Sequence, residues 1–334
     1  MTENGQIGAK IERNTFGLDL KDRKILYELD KNCRQSCPQI AKKVGLSSEV
    51  VNYRIKRLED EGIITHYQVV VDLSRLGIIE FKILLSFQHL KSYEIQKIVD
   101  QIKKDKRALW IASCKGDWDF IVSGEVYSIS EIDNFKNEIL QLFEGYIDKK
   151  ALSICTEADV LNRDYLIGQK SMNRARVIVS NNLSKDIDEL DLKIIKELGE
   201  NARKLIIDIA ETLKTTPRII DYRIRDLIKR KIITGFRIAI DYNKLGIRFY
   251  KTCFYLDSPN VHKLNELWVH LKNNKNVVHN LKVLSSWDLE PEFETASEEE
   301  FNAIITEIKD RFSDIIKKIE VITISKEHKF TYIE

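Results

Sequence analysis

Displaced by 169 residues, the sequence lies on itself: Asp22 falls on Asp191, Tyr53-Arg54-Ile55 on Tyr222-Arg223-Ile224, Leu76-Gly77 on Leu245-Gly246, and Trp118-Asp119 on Trp287-Asp288. One offset holds from Asp22 to Asp288 without a gap, so each copy is expected to be a complete fold of roughly 145 residues, and the period is too long for a solenoid. Duplication gives one chain the pseudo-twofold character that other proteins reach by dimerising, which suits a target made of two parts.

Composition narrows the class. The 334 residues are 43% hydrophobic and 32% charged, enough to bury several cores. A net charge of +2 and a pI near 8.1 do not by themselves point to nucleic acid, so the placement of the basic residues has to decide. The start, Met1 to Gly17, is polar, and the most apolar stretch, Ile78 to Phe87, is interrupted by Glu80 and Lys82. Neither a signal peptide nor a membrane span is expected, and the reading is of a cytoplasmic protein. Five cysteines, an odd number, fit a reducing compartment. Cys33 and Cys37 have no second Cys or His pair nearby and read as small helix-packing residues; no metal and no cofactor are expected.

Along the first copy, Leu18, Ile25, Leu26 and Leu29 recur at helical spacing, with Asp19 placed to cap. Ser36-Cys37-Pro38-Gln39 reads as a capping box with an early proline, and Ile40, Ala41 and Val44 form a buried face before Gly45. After Leu46-Ser47-Ser48, the segment Glu49 to Glu61 carries Val50 or Val51, Ile55 and Leu58 on one stripe and closes at Gly62. Three helices with a three-residue turn before the last make a helix-turn-helix, and Ile63-Ile64 with Tyr67 to Val71 read as strands of a wing and hinge.

From Phe81 the period changes. Strand Phe81 to Gln88, helix Tyr93 to Lys103, strands Ala108 to Cys114 and Trp118 to Val126, helix Ser130 to Phe143 and strand Lys149 to Thr156 give the order βαββαβ of a ferredoxin-like domain. The second copy repeats it with Phe249 to Leu256, His262 to Leu271, Val277 to Leu284, Trp287 to Phe293, Glu298 to Phe312 and Ile319 to Ser325. The fold expected is therefore α+β: a winged helix-turn-helix domain followed by a ferredoxin-like domain, twice. Boundaries fall at 18–66, 67–165, 187–235 and 236–334. Between the copies, 166–186 reads as a basic linker carrying Lys170, Arg174, Arg176 and Lys185, with a short strand at Val177 to Val179.

The order of domains, with Leu18-Asp-Leu-Lys-Asp-Arg-Lys-Ile-Leu opening the first helix and Val51-Asn-Tyr-Arg-Ile-Lys-Arg-Leu-Glu-Asp-Glu-Gly-Ile-Ile in the third, resembles the Lrp/AsnC family of transcription regulators. Gly116-Asp117-Trp118-Asp119 is similar to that family's turn between the second and third strands of its effector domain. The likeness extends over nearly all of the chain, twice, and is to the tandem, archaeal-type members. It implies paired helix-turn-helix heads on double-stranded DNA, a homo-oligomer assembled through the ferredoxin-like domains, and in some members an amino-acid effector bound near Gly116, Asp117, Trp118 and Asp119.

Residue chemistry points the same way. Opposite its apolar stripe, the third helix presents Ser47, Ser48, Glu49, Asn52, Tyr53, Lys56 and Arg57; Ser, Asn and Tyr can bond base edges or phosphates, and Lys56 and Arg57 can neutralise phosphate or read guanine. Arg54 resembles that family's position after the helix midpoint, which implies a phosphate contact. In the second copy Gly45 becomes Lys214, Gly62 becomes Lys231 and the Ser36–Gln39 box becomes Leu205–Asp208. Its third helix keeps Thr216 as cap and Pro217 in the first turn, and offers Arg218, Asp221, Tyr222, Arg223 and Arg225 to DNA. At the position of Gly116 stands Ser285, and Pro291 follows Trp287-Asp288, so a second equivalent effector pocket is not expected. Two other classes compete. One is an enzyme similar to the siroheme decarboxylases, for which His279 in Val278-His279-Asn280 is the available histidine; the other is a metabolite-sensing scaffold without operator binding.

Overall fold

The computed structural model describes residues 18–168, 174–180, 187–257 and 260–331. Lys170, Asn181-Asn182 and Lys185 of the expected linker lie outside them.

The first half opens with three helices, α1 (Leu20–Lys31), α2 (Cys37–Val44) and α3 (Ser48–Asp60). Local chemistry sets their ends. Asp19 accepts from the Asp22 N–H, the Gln39 side chain accepts from the Ser36 N–H, and Gly45 ends α2 with a left-handed φ of 66°. Strand β1 (Ile64–Val71) leaves the helices, and β2 (Ile79–Phe87), α4 (Ser92–Ile102), β3 (Ala108–Gly116), β4 (Phe120–Val126), α5 (Ile129–Leu142) and β5 (Ile147–Leu161) follow. Strand β6 (Ala175–Val179) precedes the second half, which runs α6 (Glu189–Glu200), α7 (Ile206–Thr212), α8 (Pro217–Lys229), β7 (Ile233–Ile240), β8 (Arg248–Leu256), α9 (Val261–Asn273), β9 (Val277–Leu284), β10 (Glu292–Thr295), α10 (Glu298–Arg311) and β11 (Ile316–Phe330).

Four strands of the first half lie in the order β5-β2-β4-β3, and their counterparts in the order β11-β8-β10-β9. The two sheets join at both edges. Cys114 and Lys115 of β3 face Ile324 and Thr323 of β11; Cys155 and Ile154 of β5 face Val283 and Leu284 of β9. These are the same pairings under the 169-residue offset, so the eight strands close into a ring with a pseudo-twofold axis. A ring leaves no open edge at the junctions. Apolar residues facing outward on β2, such as Phe81, Ile83 and Leu85, bury against Phe135 and Ile139 of α5 and Val99 of α4, while Leu84, Trp110, Ala112 and Cys114 pack inside. The second sheet is covered likewise by α9 and α10.

The two helical heads share one core, built across an antiparallel ribbon of β1 and β7. Gln68 pairs with Arg237, its own counterpart under the offset, so the pseudo-twofold axis also passes through the ribbon. Arg34 lies 5.5 Å over the Phe236 ring and Arg203 lies 5.1 Å over the Tyr67 ring, again a matched pair.

Two sequence expectations change. The strand expected at Trp287 to Phe293 begins at Glu292, because Pro291 has no N–H to give a ladder; only its carbonyl is used, accepting from the Thr252 N–H. The stretch expected as a basic linker is, over 174–180, built into the fold. Its strand β6 pairs with β5, the buried Arg174 donates to the carbonyls of Asn162 and Val277, and Arg176 donates to the carbonyls of Asp30 and Lys31. No helix among the described residues is long and apolar enough to cross a membrane.

Candidate nucleic-acid interface

Helix α3 buries Val51, Ile55 and Leu58 and turns its other face outward. Ser47 caps it, accepting from the Val50 N–H at 3.3 Å. Glu49, Asn52, Tyr53 and Lys56 are exposed on that face, with Ser48 half-buried. In the second head α8 buries Ile220, Ile224 and Leu227, and Thr216 caps it. Arg218, Tyr222 and Arg225 are exposed, and Arg225 pairs with Asp221 at 2.9 Å. Tyr53 and Tyr222 occupy equivalent places and are 68% and 67% exposed, a large aromatic left uncovered on each head.

Arg54, Arg57 and Arg223, expected from sequence to contact DNA, each hold a carboxylate of their own head. Arg54 Nη1 lies 2.8 Å from Asp19 and 2.7 Å from Asp22, and Arg57 Nη2 lies 2.7 Å from the other oxygen of Asp22. The brace recurs in the second head, where Arg223 Nη1 lies 2.6 Å from Asp188 and 3.2 Å from Asp191. Asp22 and Asp191 are each 1% exposed, so each needs such a partner. The remaining arm is permuted between heads: Arg57 and Glu61 of the first become Asp226 and Arg230, and it is Arg230 that reaches Asp191, at 3.6 Å. Hydrogen bonds to Asp19 and Asp22 raise the Arg54 pKa, and the bond to Asp188 raises that of Arg223. These arginines fix the third helix against the first and so position the exposed face.

The turn of Gly116 to Asp119 is occupied by the chain itself. At a φ of 120°, Gly116 brings its backbone so close to β11 that a Cβ would lie 2.5 Å from the Val321 carbonyl oxygen. Trp118 is buried 6.2 Å from Trp287, with Lys149 4.4 Å over its ring and its Nε1 donating to Glu320. Asp119 accepts from the Phe87 N–H at 2.8 Å, as Asp288 does from Leu256, while Asp117 is exposed.

Sequence reading missed the charges inside the ring. Lys82 and Lys251, equivalent under the offset, both point inward and share Glu290 at 3.6 and 2.6 Å; Lys251 also meets Glu292, and His279 Nδ1 lies 2.8 Å from Glu292. Burial alone would raise the Glu290 carboxyl, but Lys251 and Lys82 bring it down to about 2. A second cluster ties the first head to the ring: Asp30 lies 2.8 Å from Arg163 and 2.7 Å from Arg237, and Arg163 lies 2.9 Å from Glu294. Asp30 is fully buried; against that burial, Arg237 and then Arg163 hold its carboxyl at about 2. The available signal was the alternation of Glu80 and Lys82 inside an apolar strand.

Residues 18–65 match the winged helix-turn-helix DNA-binding family. An uncharacterized HTH-type transcriptional regulator of Pyrococcus horikoshii is 32% identical over 126 residues, covering 37% of this chain and 83% of that protein. The proline dehydrogenase transcriptional activator of Rhodobacter capsulatus is 32% identical over 127 residues, covering 37% of this chain and 80% of its own. Across almost the whole chain the fold is shared with the siroheme decarboxylase NirDL, at a TM-score of 0.60 and 13% identity over 94% of this chain and 93% of that one. With the capped helices of its first head, the family match there, and relatives 32% identical over four fifths of their length, the chain belongs to the Lrp/AsnC type of helix-turn-helix transcription regulators, which bind DNA.

Proposed function

We propose that both heads of one chain engage the same promoter DNA and read unlike half-sites. The observation that carries this is the ribbon register centred on Gln68 and Arg237, which relates the heads by a pseudo-twofold axis as in a dimer, while their exposed faces differ: Glu49, Asn52 and Lys56 in the first, Arg218, Asp221 and Arg225 in the second. Tyr53, Tyr222, Ser47, Ser48 and Thr216 complete the faces, and Arg54, Arg57 and Arg223 act by holding the helices in place. The second head carries more phosphate-binding weight, because two arginines stand where the first has Glu49 and Lys56. Supporting domains fall at 18–66, 67–165, 187–235 and 236–334, as two tandem copies of a winged helix-turn-helix and a ferredoxin-like domain; the strand orders β5-β2-β4-β3 and β11-β8-β10-β9 favour that division. Because the ring satisfies its own edges, association between chains would use the outer helices, where Ile129 and Val269 are exposed. An amino-acid effector at Gly116 to Asp119 would have to displace contacts the chain already makes there.

Titrating salt against binding to the protein's own promoter region tests the reading. The affinity is expected to fall steeply with salt, and an Asn52→Ala, Lys56→Ala variant to bind more weakly with a shallower slope. Salt-independent binding, or a variant identical to the parent, would refute it. A siroheme-decarboxylase reading has the shared fold and His279 in its favour, but His279 is engaged by Glu292. Purified protein is expected to show no haem-like absorbance; a band would restore that reading.

A further inference from the structure

At the end of the ring facing the heads lies a cavity of about 570 Å³, walled by Trp110, Tyr242, Phe249, His279 and Glu327 among others, with His66 and Ile240 contributed by the ribbon that carries the heads. Its acidic groups are unequally served, and Asp241 at its rim accepts the Lys244 N–H at 3.1 Å. Glu80 has Lys82 at 3.2 Å, Glu292 has Lys251 at 3.0 Å and Glu294 has Arg163 at 2.9 Å. Glu327 accepts only the Trp110 Nε1–H, at 2.7 Å, and among the described residues no cationic nitrogen comes within ion-pair distance of it. Enclosure by protein, with the nearby charges of Glu294 and Glu292, pushes its carboxyl up to about 7, against the opposing effects of the Trp110 hydrogen bond and of the more distant Arg163. Beside it stands Tyr242, 4% exposed, whose hydroxyl has no hydrogen-bond partner among the described residues. Glu327 is the foremost charge acting on that phenol. Aromatic rings complete the wall, Phe249 lying 5.3 Å from Tyr242 and 6.4 Å from Trp110.

Among the described residues, a carboxylate without an ion-pair partner, a phenol without a hydrogen-bond partner and flanking aromatic faces together form a receptor for an ammonium group on an apolar body. We propose that this cavity binds a small organic amine, its ammonium donating to Glu327 and to the Tyr242 oxygen and its apolar part lying against Trp110 and Phe249. The site is separate from the turn at Gly116 to Asp119, and it does not depend on the DNA-binding reading. Because His66 and Ile240 belong to the ribbon, an occupant would touch the element that sets the heads' relation to the ring.

Isothermal titration of the full chain with tryptamine at pH 8, beside indole-3-acetate, which keeps the ring and reverses the charge, tests the proposal. One tryptamine per chain should bind and indole-3-acetate should not. Glu327→Gln is expected to weaken tryptamine at least about tenfold, the scale of a charge-assisted contact. Tyr242→Phe should weaken it about threefold while leaving the thermal midpoint unchanged or raised, since it removes a hydroxyl without a partner. Absence of tryptamine binding, equal binding of the two probes, or unchanged affinity in both variants would overturn the proposal.

Discussion

The two heads are alike in what holds them and unlike in what they show. Both carry the Arg–Asp brace from the third helix to the first, both place an arginine over the other's aromatic ring, and both contribute to one core across the β1–β7 ribbon. They part at the turns. Where Gly45 and Gly62 adopt left-handed φ values of 66° and 65°, Lys214 and Lys231 adopt 52° and 56°. Gln39 closes a capping box on α2, whereas Leu205 gives α7 no side-chain cap. The anchoring Asp30 has Gly199 as its counterpart. The difference teaches that a shared core tolerates local strain, leaving the second head free to exchange Glu49 and Lys56 for Arg218 and Arg225.

Breaking the anchor should give the largest effect. Asp30→Asn leaves Arg163 and Arg237 buried beside a neutral amide and should cost roughly 3–5 kcal/mol in urea unfolding. The Asp30 carboxyl is depressed in the folded state, so its contribution, about 2 kcal/mol, is present above the unfolded pKa of 3.8 and is lost as pH falls through about 2. The variant should therefore show a flatter acid limb; an unchanged limb would mean the pairing contributes little.

The permuted brace predicts an unequal response next. Arg54→Ala leaves Asp22 with Arg57 at 2.7 Å, but Arg223→Ala leaves Asp191, among the described residues, with Arg230 at the longer 3.6 Å. Each destabilisation should lie within about 1–3 kcal/mol, with the second head the worse affected, as read by thermal unfolding. Equal effects in the two heads would show that Arg57 does not support Asp22. Smallest of all, Lys214→Gly and Lys231→Gly should each stabilise by up to about 1 kcal/mol, because glycine meets no Cβ penalty at positive φ, and Gly45→Lys should move the first head the opposite way. Destabilisation by both glycine substitutions would show that the lysine side chains do more than fill a turn.

Much of this was legible in local pattern. Helices α1, α2, α3 and α8 follow from apolar spacing and from Asp19, Ser36, Gly45, Thr216 and Pro217 at their ends. Contacts between distant residues were not. Strands expected at Lys149 to Thr156 and Ile319 to Ser325 run on to Leu161 and Phe330, because β5 and β11 each pair with a strand of the other half. The candidate DNA face shows the same divide: Asn52, Tyr53 and Lys56 are exposed as their helical phase requires, but the carboxylates that take Arg54 and Arg57 lie a helix away, on α1 and its cap. Charges inside the ring escape a reading that expects inward positions to be apolar, as the Lys82–Glu290–Lys251 cluster does.

Footprinting on the promoter region with the parent protein, an Asn52→Ala, Lys56→Ala variant and an Arg218→Ala, Arg225→Ala variant tests most directly whether two unlike heads read one site. Two adjacent protected segments of different sequence are expected, each variant weakening a different segment, with the second variant lowering the salt slope by about one for each DNA phosphate it no longer neutralises. Identical half-sites, or protection indifferent to the replacement of Arg218 and Arg225, would contradict it.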